Sequence, residues 1–132
     1  MFLIDTNICI YAMKNTYPNL SRKLFQISPN EILVSSITVG ELEYGCAKCN
    51  WGERSRSVMN LFLSTYRILP FDEEDAKMFG RLRAALAKKG SPIGPYDIQL
   101  AGQALSKGLI FVTHNTREFN RIPNLQVEDW AI

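Results

Sequence analysis

The sequence predicts an α/β domain, a mostly parallel central β-sheet flanked by α-helices on both faces. Three observations lead there. Short apolar runs rich in β-branched and aromatic residues recur along the chain, helix-like segments separate them, and 132 residues suit a single core. Residues 1–132 therefore read as one domain.

The elements follow in order. "FLID" (2–5) is short enough for a first strand, and Asp-Thr-Asn breaks it before an apolar stretch at 7–14 that has helical spacing. A second helix is expected at 19–27, then the strand "EILVSS" (31–36). In "SSITVGE", Thr38 and Glu41 stand three apart, the spacing of a capping box that would open a helix at 38–48. A helix at 52–65 leads into the strand "YRILPF" (66–71). Asp72 before an acidic first turn opens the next helix, 72–89, and "AKKG" closes it with two cations and Gly90. The turn "GSPIGP" (90–95) reads as a loop that aims Asp97 into a helix at 96–107. The strands "LIFVTH" (109–114) and "LQVEDW" (125–130) complete the alternation.

Composition narrows the function classes. With 46% hydrophobic and 21% charged residues the chain is an ordinary globular sequence. A balance of 15 Lys and Arg against 13 Asp and Glu does not by itself announce a nucleic-acid binder. No apolar run approaches the roughly 18 to 20 residues of a membrane span, and the opening lacks a basic leader, so a cytoplasmic protein is expected. Cys9, Cys46 and Cys49 read as plain thiols, because "CAKC" falls late in a helix and a zinc site would need two further ligands. His114 is the only histidine, and no Ser or Cys nucleophile accompanies it in a recognisable pattern.

Ligands of open α/β sheets bind outside the carboxyl ends of the strands. Asp5 ends the first strand, Glu41 opens the helix after the second, Asp97 opens the helix before the fourth, and Asn115 and Glu118 follow the fourth. Carboxylates gathered on one rim repel one another unless a cation joins them, and magnesium or manganese prefers such oxygen ligands. A metal held there would orient a water and neutralise charge on a phosphodiester. Each acid also has a structural explanation. Asp5 caps a helix, Glu41 completes the capping box, Asp97 favours the helix dipole, and Asp72, Glu73, Glu74 and Asp75 read as a solvated cap. Lys14, Arg22, Lys23, Arg54, Arg56, Arg81, Arg83, Lys88, Lys89 and Arg117 suit a phosphate backbone, and Tyr11, Tyr44, Tyr96 and Phe119 could stack unpaired bases.

Taken together, "LIDTNICIYAMKN" (3–15), "SSITVGELEYG" (35–45), "RAALAKKGSPIGPYDIQLAGQA" (83–104), "GLIFVTHNTREFNRI" (108–122) and "LQVEDW" (125–130) resemble the PIN domain. The likeness is specifically to the VapC ribonuclease toxins of bacterial toxin–antitoxin pairs. It implies that Asp5, Glu41 and Asp97 are metal-binding catalytic carboxylates, with Mg2+ or Mn2+ as cofactor. It further implies RNA as substrate, expected to be tRNA near its anticodon loop, homodimers, and neutralisation by a VapB-type antitoxin that carries the complex to operator DNA. Many members have an acid where this chain has Asn115, so Glu118 or Asn115 remains to complete the set. The alternative is a PIN-like module that binds RNA or protein without cutting.

Overall fold

A computed structural model describes residues 1–50, 52–90 and 92–132 of the chain. Its strands are β1 (Phe2–Ile4), β2 (Ile32–Ser35), β3 (Arg67–Leu69), β4 (Ile110–Val112) and β5 (Val127–Glu128). All pair in parallel, in the order β3-β2-β1-β4-β5. The helices are α1 (Thr6–Lys14), α2 (Pro18–Gln26), α3 (Ser36–Cys49), α4 (Glu53–Thr65), α5 (Glu73–Lys88), α6 (Pro95–Lys107) and the single turn α7 (Thr116–Phe119). A 3-10 turn at Pro29–Glu31 precedes β2. The expected strands and longer helices are all present, with strands shorter than the apolar runs that signal them. The turn α7 has no counterpart in the sequence reading. Of the expected loop at 90–95, Ser91 lies outside the described residues.

Alternation along the strands divides the core between the two faces of the sheet. Leu3, Leu33 and Phe111 point to one side, where Leu82, Leu86, Ile98, Ala101 and Phe119 cover them from α5, α6 and α7. Their neighbours Ile4, Ile32, Val34 and Val112 point to the other, against Ile8, Leu20, Leu42 and Met59 from α1 to α4. Every residue of β2 is buried, as a strand covered on both faces requires. Gly102 lets α6 lie against α5, since a Cβ there would stand 3.1 Å from the Phe79 backbone.

The acidic run at the start of α5 corrects an expectation. Asp72 caps the helix in a reciprocal box with Asp75, but Asp75 is fully buried and not a solvated cap residue. Lys107 donates to both carboxylates at 2.8 Å, and Gln103 adds a donor to Asp75 at 3.3 Å. Helical spacing explains it: Asp75 lies on the same stripe as Phe79, Leu82 and Leu86, the face that meets the core. Lys107 holds Asp72 below the usual carboxylate range, chiefly through that hydrogen bond.

Strand order sets the place of any site. The chain builds β1, β2 and β3 toward one edge, then crosses back to place β4 and β5 on the opposite side of β1. The carboxyl ends of β1 and β4 therefore flank the point where the winding reverses, the crevice in which open α/β sheets bind ligands.

Candidate active site

Asp5 stands at that crevice. It caps α1, with Oδ1 accepting the Ile8 N–H at 2.8 Å, and it is only 5% exposed. Its Oδ2 accepts a 2.6 Å hydrogen bond from Thr113 Oγ1 at the end of β4. Thr113, itself fully buried, accepts the Asn115 N–H at 3.0 Å. Capping and display at the rim are thus two tasks of one carboxylate. Each Asp5 oxygen keeps lone-pair capacity beyond the hydrogen bond it accepts.

Glu41 arrives by a different local route from the one expected. The cap of α3 is Ser35, whose Oγ accepts the Ile37 N–H at 3.0 Å, so the predicted box of Thr38 and Glu41 does not form. Pairing of β2 with β3 runs through Ser35 to Leu69, and the helix starts at the first residue the sheet releases. Thr38 is buried inside the helix, and Glu41 lies in its second turn. There Oε1 accepts a 2.7 Å hydrogen bond from Thr6 Oγ1. Thr6 Oγ1 is also 3.0 Å from Thr38 Oγ1, and with its only proton given to Glu41 it must accept there. Three threonines therefore hold the two acids: Thr6 and Thr113, to which the sequence reading gave no role, and Thr38, which it expected as a helix cap and which instead braces Thr6. The legible signal was a hydroxyl beside each strand end, in "DT" and "VT".

Asp97 is the third residue of α6, half-buried, just after Gly94 at the cap and Pro95. A Cβ on residue 94 would stand 3.6 Å from Asp97 Oδ2, an ordinary contact, so the Asp97 carboxylate folds back over the cap residue. Asn115 occupies the cap position of α7 but makes no side-chain cap bond. It is exposed, and its tie to Asp5 runs through its backbone N–H to Thr113. Glu118, within α7, accepts from Arg121 at 3.2 Å.

The electrostatics join these acids into one field. Burial pushes Asp5 up to about 6, Asp97 and Glu41 add to the rise, and the bonds from Thr113 and Ile8 oppose it. Burial also raises Asp97, with Glu41 and then Glu118 contributing. The Cys9 thiol is raised by burial and by the same negative charge of Asp5 and Glu41. Among the described residues no ion pair involves Asp5, Glu41 or Asp97. A group of hard oxygen donors without a cationic partner either takes up protons or holds a metal ion. Also among the described residues, no three His, Cys, Asp or Glu side chains are placed to hold a metal ion together. The donor set fits an ion that keeps several waters and takes one or two carboxylates, as magnesium does.

Other candidates fall outside this field. His114 Nδ1 lies 2.9 Å from Asp129, with Tyr17 and Tyr11 against its ring. Phe119 is 1% exposed and packs on Phe111, which removes it from the base-stacking candidates. Tyr11 joins the core, whereas Tyr44 and Tyr96 are exposed. Arg56 pairs with Glu43 at 3.1 Å. Lys14 and Arg54 border a cavity of about 270 Å³ between α1 and α4, while Arg22 and Lys23 lie beside Trp130. Cys9 and Cys46 are buried free thiols and Cys49 an exposed one, as the plain-thiol reading expects.

A parallel α/β sheet with a buried carboxylate at its switch point and two more acids in the same field defines an acidic-crevice α/β domain. Residues 2–125 match the PIN domain, and the chain belongs to that family. It is 45% identical to the tRNA(fMet)-specific endonuclease VapC of Salmonella typhimurium over 130 residues, covering 98% of both chains. It is 41% identical to ribonuclease VapC2 of Haemophilus influenzae, again over 98% of each. Among solved structures it resembles DNA-bound VapBC from Salmonella typhimurium, with a TM-score of 0.90, 44% identity and coverage of 98% and 97%. VapBC2 from Rickettsia felis bound to a promoter DNA fragment gives the same TM-score at 35% identity, covering 98% of each chain. No helix among the described residues is long and apolar enough to cross a membrane.

Proposed function

We propose that this protein is a VapC-type endoribonuclease toxin that uses Asp5, Glu41 and Asp97 with Mg2+ or Mn2+ to cut tRNA near the anticodon loop. A VapB-type antitoxin silences it. The observation that carries this reading is the Asp5–Thr113 arm at the switch point, a buried carboxylate aimed into the negative field of Glu41 and Asp97 without a cationic partner. Supporting it are full-length relatives named as ribonucleases, one of them specific for tRNA(fMet), and neighbours solved as VapBC complexes on DNA. By that kinship the toxin forms homodimers, assembles further with its antitoxin, and reaches operator DNA only through it.

In this reading the chain's own residues do the holding. Thr113 and the Ile8 amide fix Asp5, and Thr6, itself braced by Thr38, fixes Glu41, so the acids are ordered before RNA arrives. Asp97 adds charge from the start of α6, and Glu118 reinforces it. When bound, a divalent ion supplies charge neutralisation at the scissile phosphate and lowers the pKa of water. A loop substrate suits the crevice because in-line attack needs a backbone free to splay, which A-form duplex denies.

Expression of the protein alone in cells, followed by genome-wide mapping of new RNA ends, tests the substrate. Ends at one loop position of one or a few tRNAs, tRNA(fMet) first among them, and absent with Asp5→Asn, are expected. Scattered ends in messenger RNA, or growth arrest that persists with Asp5→Asn, would contradict it.

A further inference from the structure

Beside the acidic crevice lies a cleft of about 700 Å³ lined by Ser36, Ile37, Gly40, Glu41, Tyr44 and Tyr96. Its two rings are unusually open for aromatic side chains of a folded domain, Tyr44 at 64% and Tyr96 at 58% exposed. Each flanks an acid of the proposed site. Tyr44 lies one turn beyond Glu41 on α3, and Tyr96 immediately precedes Asp97 on α6. We infer that this cleft is a nucleobase subsite, in which Tyr44 and Tyr96 stack an unpaired base next to the bond to be cut. The inference rests on the nuclease reading and adds to it the residues that position the substrate.

Gly40 points the same way. Glycine is a poor residue for the interior of a helix, and here internal packing does not call for it, since a Cβ at position 40 would meet nothing within 4 Å. What glycine does at 40 is leave the cleft floor flat, one residue from Glu41 and one turn from Tyr44. The floor is mixed: Ile37 is apolar, and the Ser36 hydroxyl accepts the Phe71 N–H at 3.0 Å while keeping its own proton to donate. A base held by its faces fits such a surface, because stacking is tolerant of sequence. Lys48 lies 5.5 Å from the Tyr44 ring centre, and its ammonium puts a cation beside that wall for a flanking phosphate. A protein partner covering the cleft would have to bring a cation of its own for Glu41, whereas a stacked base leaves that carboxylate open to water.

The test is fluorescence anisotropy of a short, labelled single-stranded RNA of mixed sequence titrated with the full chain in EDTA, where no cleavage competes. Tyr44→Ala and Tyr96→Ala are each expected to weaken binding about tenfold, and Tyr→Phe at either position to restore it. Gly40→Leu is expected to weaken binding similarly while melting at or above the wild-type temperature, because leucine favours the helix and obstructs only the cleft. Absence of wild-type binding, or binding unchanged in both alanine variants, would overturn the inference. So would light scattering that finds a wild-type dimer converted to monomer by either alanine variant, which would make the cleft an interface between copies. If the wild type binds through these rings yet cleaves no RNA with Mn2+, the nuclease reading fails and the subsite stands.

Discussion

Thr113 donates its hydroxyl proton to Asp5 at 2.6 Å across the point where the sheet reverses its winding, although 108 residues separate the two in sequence. This bond ties the first strand's carboxylate to the fourth strand's end. Without it, a buried carboxylate oxygen would face β4 unpaired. Thr113→Val keeps the shape and removes the donor. Its expected effect is a 10- to 100-fold increase in the Mn2+ needed for half-maximal cleavage, with Thr113→Ser close to wild type. Equal metal requirements for Val and Ser would show that the bond is only structural.

Asp5 carries a stability cost with a definite sign. It titrates at about 6 in the folded protein, against 3.8 when solvated. Between those pH values the folded chain binds a proton that the unfolded chain has released. The stability it contributes as a neutral acid is complete below about 3.8 and lost as pH rises through about 6, on the order of 3 kcal/mol in all. In EDTA above pH 7, Asp5→Asn should therefore melt higher than wild type, with the gap closing near pH 4. The amide's poorer fit to Thr113 offsets part of the gain. Adding Mn2+ should raise the wild-type melting temperature and leave Asp5→Asn unmoved.

The Thr6–Glu41 bond separates orientation from charge. Glu41→Gln preserves size but loses the charge, and should fold normally while abolishing most cleavage. Thr6→Val leaves the charge but frees the side chain, so kcat should fall about tenfold and Thr6→Ser should recover it. If Glu41→Gln kept most activity, Glu41 would have no part in the chemistry.

Asn115 and Glu118 divide by their contacts. The Asn115 side chain is exposed and its backbone makes the bond to Thr113, so Asn115→Ala should leave the metal requirement nearly unchanged. Glu118 contributes charge at Asp97, so Glu118→Ala should raise that requirement several-fold and lower the Asp97 pKa, followed by carboxyl NMR titration. The reverse ranking would assign the fourth position to the amide.

Much of this was legible in the sequence for local reasons. Strands and helices declare themselves by period, and Asp5 and Asp97 stand at the strand and helix ends expected of them, whereas Glu41 stands one turn further into α3 than its expected place. The start of α3 was not legible, because Ser35, Ser36 and Thr38 are all good caps and only the pairing of Ser35 with Leu69 decides among them. The threonine supports were half legible: "DT" and "VT" set a hydroxyl beside a strand end, but the bonds span 32, 35 and 108 residues and no local pattern names their partners. Asp75 was misread through neglect of a visible signal, its helical register with Phe79, Leu82 and Leu86.

In the proposed function Asp5, Glu41 and Asp97 serve the divalent ion through which RNA is cut, one or two of them as direct ligands and the rest through its waters. Cleavage of tRNA(fMet) by the purified chain, freed of any antitoxin, measures this most directly when followed across Mn2+ concentration beside Mn2+ binding by electron paramagnetic resonance. The account predicts that cleavage and bound Mn2+ rise together, that both vanish in EDTA, and that Asp97→Asn weakens both while the fold stays intact. Undiminished cleavage in EDTA, or full Mn2+ binding by the triple variant Asp5→Asn, Glu41→Gln, Asp97→Asn, would contradict it.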